Sequence, residues 1–217
     1  MLAGTTLNAV TYTATSRVVA AAGDVVAAAA HQVCLQCWWL FSFVSVPLSL
    51  AAQSLMPRRS VSQPAEASKT AGSIARLGVI CAMLMAAGNF VLPFALPTIF
   101  TTDARVLQAL AGVLGLTLAS QFTISLSTAL DGVFIGCGWL SHYVIACTLG
   151  TSAAWLAFRR GMRTGAGLSA AWQGLLLFSG VRAVAHLLGY QRLQRSLARD
   201  AAARAGLAEV GLAESKE

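Results

Sequence analysis

Six runs of mostly apolar residues, each long enough to cross a bilayer and separated by short polar, proline- or glycine-bearing stretches, leave this chain little choice of architecture. Crossing about 30 Å of hydrocarbon takes about 20 apolar residues in a helix. The runs occupy approximately residues 2–22, 25–56, 70–92, 103–136, 141–158 and 169–190. Only 11% of the residues are charged against 57% hydrophobic, too little charge for a soluble domain to cover its own surface. In lipid every backbone polar group must be satisfied inside the protein, which favours helices that satisfy their own. The expected fold is therefore all-α, with six transmembrane helices forming one lobe over residues 1–190 and a basic tail over residues 191–217.

Local signals punctuate the runs. Gly23 closes the first, and Asp24 is placed to N-cap the second, which carries Pro47. The sequence PRRSVSQPAEASK, residues 57–69, reads from its composition as an extramembrane connection. Pro93 and Pro97 end the third run, because proline has no N–H with which to continue the helical ladder. Thr102 or Asp103 caps the fourth, which ends at the GCG of residues 136–138 and at about 1.5 Å per residue must tilt, kink or protrude. The RRGMRTGAG stretch stops the fifth. In the tail Leu193, Leu197 and Ala201 recur every four residues between arginines, the pattern either of an amphipathic helix on anionic headgroups or of a solvated tail.

Six spans put both termini on one side, together with Arg58, Arg59, Lys69 and the tail residues Arg192, Arg195, Arg199 and Arg204. The excess of positive charge makes that side cytoplasmic or its equivalent, outweighing Arg159, Arg160 and Arg163 opposite. A net charge of +7 distributed in this way reads as anchoring to a lipid bilayer and not as nucleic-acid binding. Cys34, Cys37, Cys81, Cys137 and Cys147 lie in or beside apolar runs, which argues against a disulfide framework; the CLQC pair is read as packing. The tryptophans at 38, 39, 139, 155 and 172 are expected in interfacial belts. The N-terminus has no basic n-region, so no targeting segment is visible.

Polar residues within hydrocarbon gather on helix faces that look at partner helices or at a cavity. Gln121, Ser125, Thr128 and Asp131 follow at spacings of four, three and three, which predicts one stripe. Asn8, Thr11 and Thr15 mark the first run, and Gln32 and Gln36 the second. Asp131, Gln121, Ser125, Thr128, Asn8 and Gln36 are the candidate residues for binding an ion or solute in a shared wet interior. The neutral ones serve equally well as helix-to-helix hydrogen bonds worth ~0.6 kcal/mol per pair. Asp131 is the one acidic residue inside an apolar run, and a carboxylate near mid-membrane costs ~2.5–3.5 kcal/mol on insertion scales. Two roles remain open for it: cycling a proton or pairing with a cationic solute, or a structural pair with a backbone amide or Arg182. His31 and His186 read as interfacial hydrogen-bonding residues, His31 with a proton relay as the alternative. No nucleophile elbow, zinc motif, P-loop or dinucleotide fingerprint is present, so no enzyme and no cofactor is expected.

Several runs in this order resemble the C-terminal half of the multidrug and toxic compound extrusion (MATE) transporters, in particular the plant and algal DETOXIFICATION type. AAHQ and PLSLAAQSLMP, within residues 27–57, are similar to that family's eighth helix, and LPTIFTTDARVL, residues 96–107, to its ninth-to-tenth connection. ALDGVFIGCG, residues 129–138, resembles the end of its tenth helix, and AAWQGLLLFSGVRAV, residues 170–184, its twelfth. The resemblance implies one lobe of a twelve-helix fold, whose two pseudo-symmetric lobes face each other across a substrate cleft. It implies antiport of a small organic solute against H+ or Na+.

Two departures from the family pattern qualify what that resemblance implies. The family's C-terminal coupling carboxylate falls near Thr123 in this register, so Asp131 belongs instead to the LDG pattern, and the final acidic position of the GxGD-like ending is Trp139. The partner implied is a missing N-terminal lobe or a second copy, and the expected product is a partial chain of an exporter of small organic compounds or xenobiotics. The alternative is a non-transporting half-transporter subunit regulating a full-length partner. The plant and algal leaning points to the chloroplast envelope as the membrane.

Overall fold

A computed structural model of the chain describes residues 2–95 and 97–214. Among the described residues there are seven α-helices: α1 (Leu2–Ala21), α2 (Val25–Val44), α3 (Val46–Ser62), α4 (Pro64–Phe90), α5 (Ala104–Gly136), α6 (Leu140–Thr164) and α7 (Gly167–Glu214). No strand occurs among the described residues. The α2–α3 pair, α4, α5 and α7 are each long and apolar enough to span a membrane. The threonines of α1 and the arginines of α6 leave these two less apolar, and both pack against α7 and each other.

The second run is divided where one continuous helix was expected. Pro47, in the first turn of α3, has no N–H to offer the Phe43 carbonyl, and the helix turns at Ser45 before resuming. Residues 57–69 are helical almost throughout and not an open loop: α3 runs to Ser62, Gln63 alone departs from helical geometry, and Pro64 opens α4, where its missing N–H costs nothing. The third run ends as proline dictates, with π-helical winding over Val91–Ala95 and a 3-10 turn over Pro97–Ile99. Asp24 accepts from the Val26 N–H at 2.9 Å and the Ala27 N–H at 3.2 Å, and Asp103 from the Arg105 N–H at 2.9 Å, so both acidic caps do what their positions suggest. Gly23, Gly138 and Gly165 close α1, α5 and α6 with φ of 69°, 77° and 71°, a left-handed conformation in which a side chain is strained.

The 33 residues of α5 form the central post. Its first half joins α1, α2, α6 and the first half of α7 in one apolar cluster, which contains Trp38, Leu110, Val113, Phe158, Trp172 and Phe178. Its last half joins α3, α4 and the middle of α7 in a second, around Met56, Ala71, Leu130, Val133 and Phe134. The helix α7 passes position 190 without a break, and Leu193 and Leu197 pack into the second cluster, so these tail leucines face protein and not headgroups. Trp38 and Trp172 are likewise core residues, whereas Trp155 is exposed and Trp39 and Trp139 half-buried. The outer surface is apolar instead: Leu77, Ile80, Met83, Leu84, Leu149 and Leu188 all lie exposed. Leucines outside and hydrogen-bonding groups inside are the arrangement that lipid selects.

Candidate functional site

Between the two apolar clusters, α5 and α7 are joined by a ladder of polar side chains. Thr123 and Ser179 hydroxyls lie 2.6 Å apart, and Ser127 Oγ donates to the Ser179 carbonyl at 3.0 Å. One turn further along, Arg182 Nη2 donates to Asp131 Oδ2, and His186 Nε2 lies 2.7 Å from Asp131 Oδ1. The α5 residues 123, 127 and 131 follow at intervals of four, and the α7 residues 179, 182 and 186 at three and four, so each set lines one helix face.

The ion pair is almost entirely removed from solvent: Asp131 is 7%, Arg182 1% and His186 0% exposed. A buried charge whose partner is removed is strongly unfavourable, so neither Asp131 nor Arg182 belongs here without the other. Both carboxylate oxygens are engaged, while the guanidinium stands over the Phe178 ring at 4.8 Å and keeps two nitrogens, Nε and Nη1, without a hydrogen-bond partner. The carboxylate is thus held by one permanent cation and one group that changes charge on protonation. His186 continues outward: its Nδ1 is 3.3 Å from Nε2 of His142, a half-buried residue in the first turn of α6.

The stripe expected along α5 is divided. Gln121 turns toward α2, donating to Ser42 Oγ at 3.3 Å and to Ser125 Oγ at 3.2 Å, while its own Oε1 is buried without a partner. Thr128 is half-buried, and Asp131 turns to α7. The reason is helix geometry: ten residues are 2.8 turns, so Gln121 and Asp131 point in different directions. Of the two roles left open for Asp131, the ion pair with Arg182 is present, and His186 is a buried partner of it and not an interfacial residue. The ladder residues Thr123, Ser127 and Ser179 are not among the candidates drawn from the sequence, although the four-residue spacing of Thr123 and Ser127 into Asp131 was there to be read.

Asn8 and Gln36 lie elsewhere. Asn8 lines an open groove of about 440 Å³ with Tyr12, Thr13 and Trp39, and its buried Oδ1 has no hydrogen-bond partner. Gln32 and Gln36 are exposed on α2, beside Leu40 and Phe43. Thr11 of α1 pairs with Thr151 of α6 at 3.2 Å. His31 is buried with Nε2 3.4 Å from Ser16 Oγ. Among the described residues no cluster of three or more His, Cys, Asp or Glu is placed to hold a metal ion, and Cys34 and Cys37 are buried free thiols.

Comparison with known proteins agrees with the arrangement of helices. The chain is 27% identical over 195 residues to Protein DETOXIFICATION 45, chloroplastic, of Arabidopsis thaliana, covering 88% of the chain and 33% of that protein. It is 30% identical over 162 residues to Protein DETOXIFICATION 44, chloroplastic, of the same plant, covering 72% of the chain and 30% of that protein. The chain therefore spans about a third of the length of the curated relatives it matches. No solved structure matches it. The MatE family model matches residues 2–156, from the first turn of α1 into α6, and with most of its length so matched this multi-pass, all-α membrane protein is a member of the MatE family of transporters.

Proposed function

We propose that this chain is the C-terminal lobe of a cation-coupled antiporter that exports small organic compounds, completed by an N-terminal lobe that the 217 residues do not include. Residues 1–190 act as the six-pass lobe and residues 191–217 as a basic tail on the face that receives both termini. The observation that carries the reading is the polarity of one outer surface. Gln32 and Gln36 are exposed on α2 beside the exposed Leu40 and Phe43, and Asn8 of α1 lines an open groove with Tyr12 and Trp39. Unsatisfied amides are costly in hydrocarbon, whereas they are well placed in a wet cleft against a second lobe. Solute contact is assigned to this face, with Asn8 and Gln36 as binding residues.

Ion coupling is assigned to Asp131, supported by its burial and by its sharing of one carboxylate between a fixed cation and a titratable ring. Gln121, Ser125 and Thr128 are assigned as further ion- or solute-binding residues of α5, on a part of the helix apart from the Asp131 carboxylate. The driving ion is H+ or Na+. The two DETOXIFICATION relatives carry "chloroplastic" in their names, which supports a chloroplast envelope membrane. The test is reconstitution of the full-length transporter in liposomes with an imposed pH or Na+ gradient and a panel of radiolabelled organic cations. Gradient-dependent accumulation that collapses with an ionophore is expected. Accumulation indifferent to both gradients would overturn coupled antiport.

A further inference from the structure

The Asp131 cluster extends beyond its ion pair toward one end of α5. From the carboxylate, hydrogen-bonding contacts lead through His186 to His142, which sits where α5 has ended and α6 begins. We propose that His186 and His142 carry protons between the buried Asp131 carboxyl group and the membrane face bearing the α5–α6 turn.

The geometry is that of a two-ring wire. Asp131 Oδ1 to His186 Nε2 is 2.7 Å, and His186 Nδ1 to His142 Nε2 is 3.3 Å, so each ring receives on one nitrogen and passes on from the other. Starting from a protonated Asp131, the carboxyl O–H bond breaks and its proton joins His186 Nε2. The proton on His186 Nδ1 moves to His142 Nε2, and His142 releases its Nδ1 proton to water at the surface. One proton enters and one leaves, both rings end as the other neutral tautomer, and the carboxylate is left facing Arg182. Reversal of the same steps loads the carboxyl.

The surroundings fix the rings in place. Arg182 shares the Asp131 carboxylate with His186, and Arg192 lies within electrostatic reach of His142. Phe134 holds both rings, with centroids 4.3 Å from His142 and 5.0 Å from His186. Gly189 leaves room for His142: a Cβ there would come within 2.4 Å of its Cε1 and 2.5 Å of its Nε2. A side chain at 189 must displace the imidazole, a movable group, without touching either histidine's chemistry.

This inference rests on Asp131 as the coupling carboxyl, but it is measured without solute or gradient, so either reading can fail alone. The experiment follows hydrogen exchange of the histidine ring N–H groups by nitrogen-15 NMR in the full-length transporter in lipid nanodiscs, with signals assigned by single substitutions. His186 is expected to exchange much faster than His31, although both are buried. His142→Ala and Gly189→Ala should each slow His186 exchange by ~100-fold or more, the range in which positioned acid–base groups act. Millimolar imidazole should restore His142→Ala. Wild-type His186 exchanging as slowly as His31, wild-type rates in both variants, or a loss in His142→Ala that imidazole does not relieve would overturn the path. The wild-type comparison decides even where a variant folds poorly.

Discussion

The helix α5 meets two neighbours through polar side chains and treats them differently. Toward α2 the contact is neutral and incomplete: Gln121 reaches Ser42, and its carbonyl oxygen is left over. Toward α7 it is charged and deeply buried, with Asp131 locked between Arg182 and His186 beneath the Thr123, Ser127 and Ser179 rungs. Neutral pairs of the first kind are worth a fraction of a kcal/mol and can re-pair when a helix shifts. An ion pair of the second kind holds α5 and α7 together in one register, because separating the charges in the membrane is prohibitive. The lobe thus has a stiff seam on one side of its central post and a forgiving one on the other.

The largest effect is expected from breaking the stiff seam at one partner. Arg182→Leu strands a carboxylate in the core and should cost about 3–5 kcal/mol, read as collapse of folded yield and thermal stability in detergent. Gln121→Leu, at the forgiving seam, should cost about 1 kcal/mol or less. Equal losses would erase the distinction. Reversion of the Arg182→Leu loss by adding Asp131→Leu would confirm that the stranded charge is the cause.

Backbone packing along α5 gives the next test. A Cβ at Gly132 would lie 2.3 Å from the Ser49 carbonyl oxygen of α3, a backbone atom that cannot step aside, whereas nothing lies within 4 Å of a Cβ at Gly115. Gly132→Ala should therefore destabilise by about 1–3 kcal/mol. Gly115→Ala should stabilise by up to about 1 kcal/mol through helix propensity. Thermal unfolding of the two variants should move in opposite directions. Within the stiff seam, a double-mutant cycle on Thr123→Ala and Ser179→Ala should return about 0.6 kcal/mol, locating the strength of the seam in the ion pair and not in the hydroxyl rungs.

The smallest effect lies outside the membrane, at the start of α5. The Arg105 side chain, hydrogen-bonded to Asp103, and the Arg105 backbone N–H hold that carboxyl below the usual aspartate range. Because the folded value is depressed, the cap contributes above the unfolded aspartate value, and its contribution is lost as pH falls through the folded one. Amide exchange in the first turn of α5 should rise at acid pH in the wild type. In Asp103→Ala it should already be raised at neutral pH and change little on acidification.

The helices and their caps were legible because each depends on local chemistry: apolar run length, proline's missing N–H, and an acidic residue just before a helix. Residues 57–69 misled because a polar composition reads as a loop, yet Pro64 serves as a helix start and the arginines project from helical turns. The site was half legible. Asp131 was recognisable by its isolation and Arg182 by its charge. The face Asp131 occupies was not, because several polar residues lie within helical reach of it, and only contact with α7 selects 123, 127 and 131. Neither His142 nor the buried position of His186 could be read, since both depend on how α6 and α7 close over the end of α5.

The central claim is that the charge on Asp131 works in transport as well as in packing. The most direct measurement is gradient-driven flux per correctly inserted molecule for Asp131→Asn in the full-length transporter, using an organic cation that the wild type is shown to accumulate. The amide keeps the size and can still accept from Arg182, but it cannot cycle a proton. Abolished flux in the correctly inserted molecules is the expected result, whatever folded yield the unpaired Arg182 leaves; near wild-type flux in those molecules would contradict it and leave the Asp131–Arg182 pair as a structural clamp.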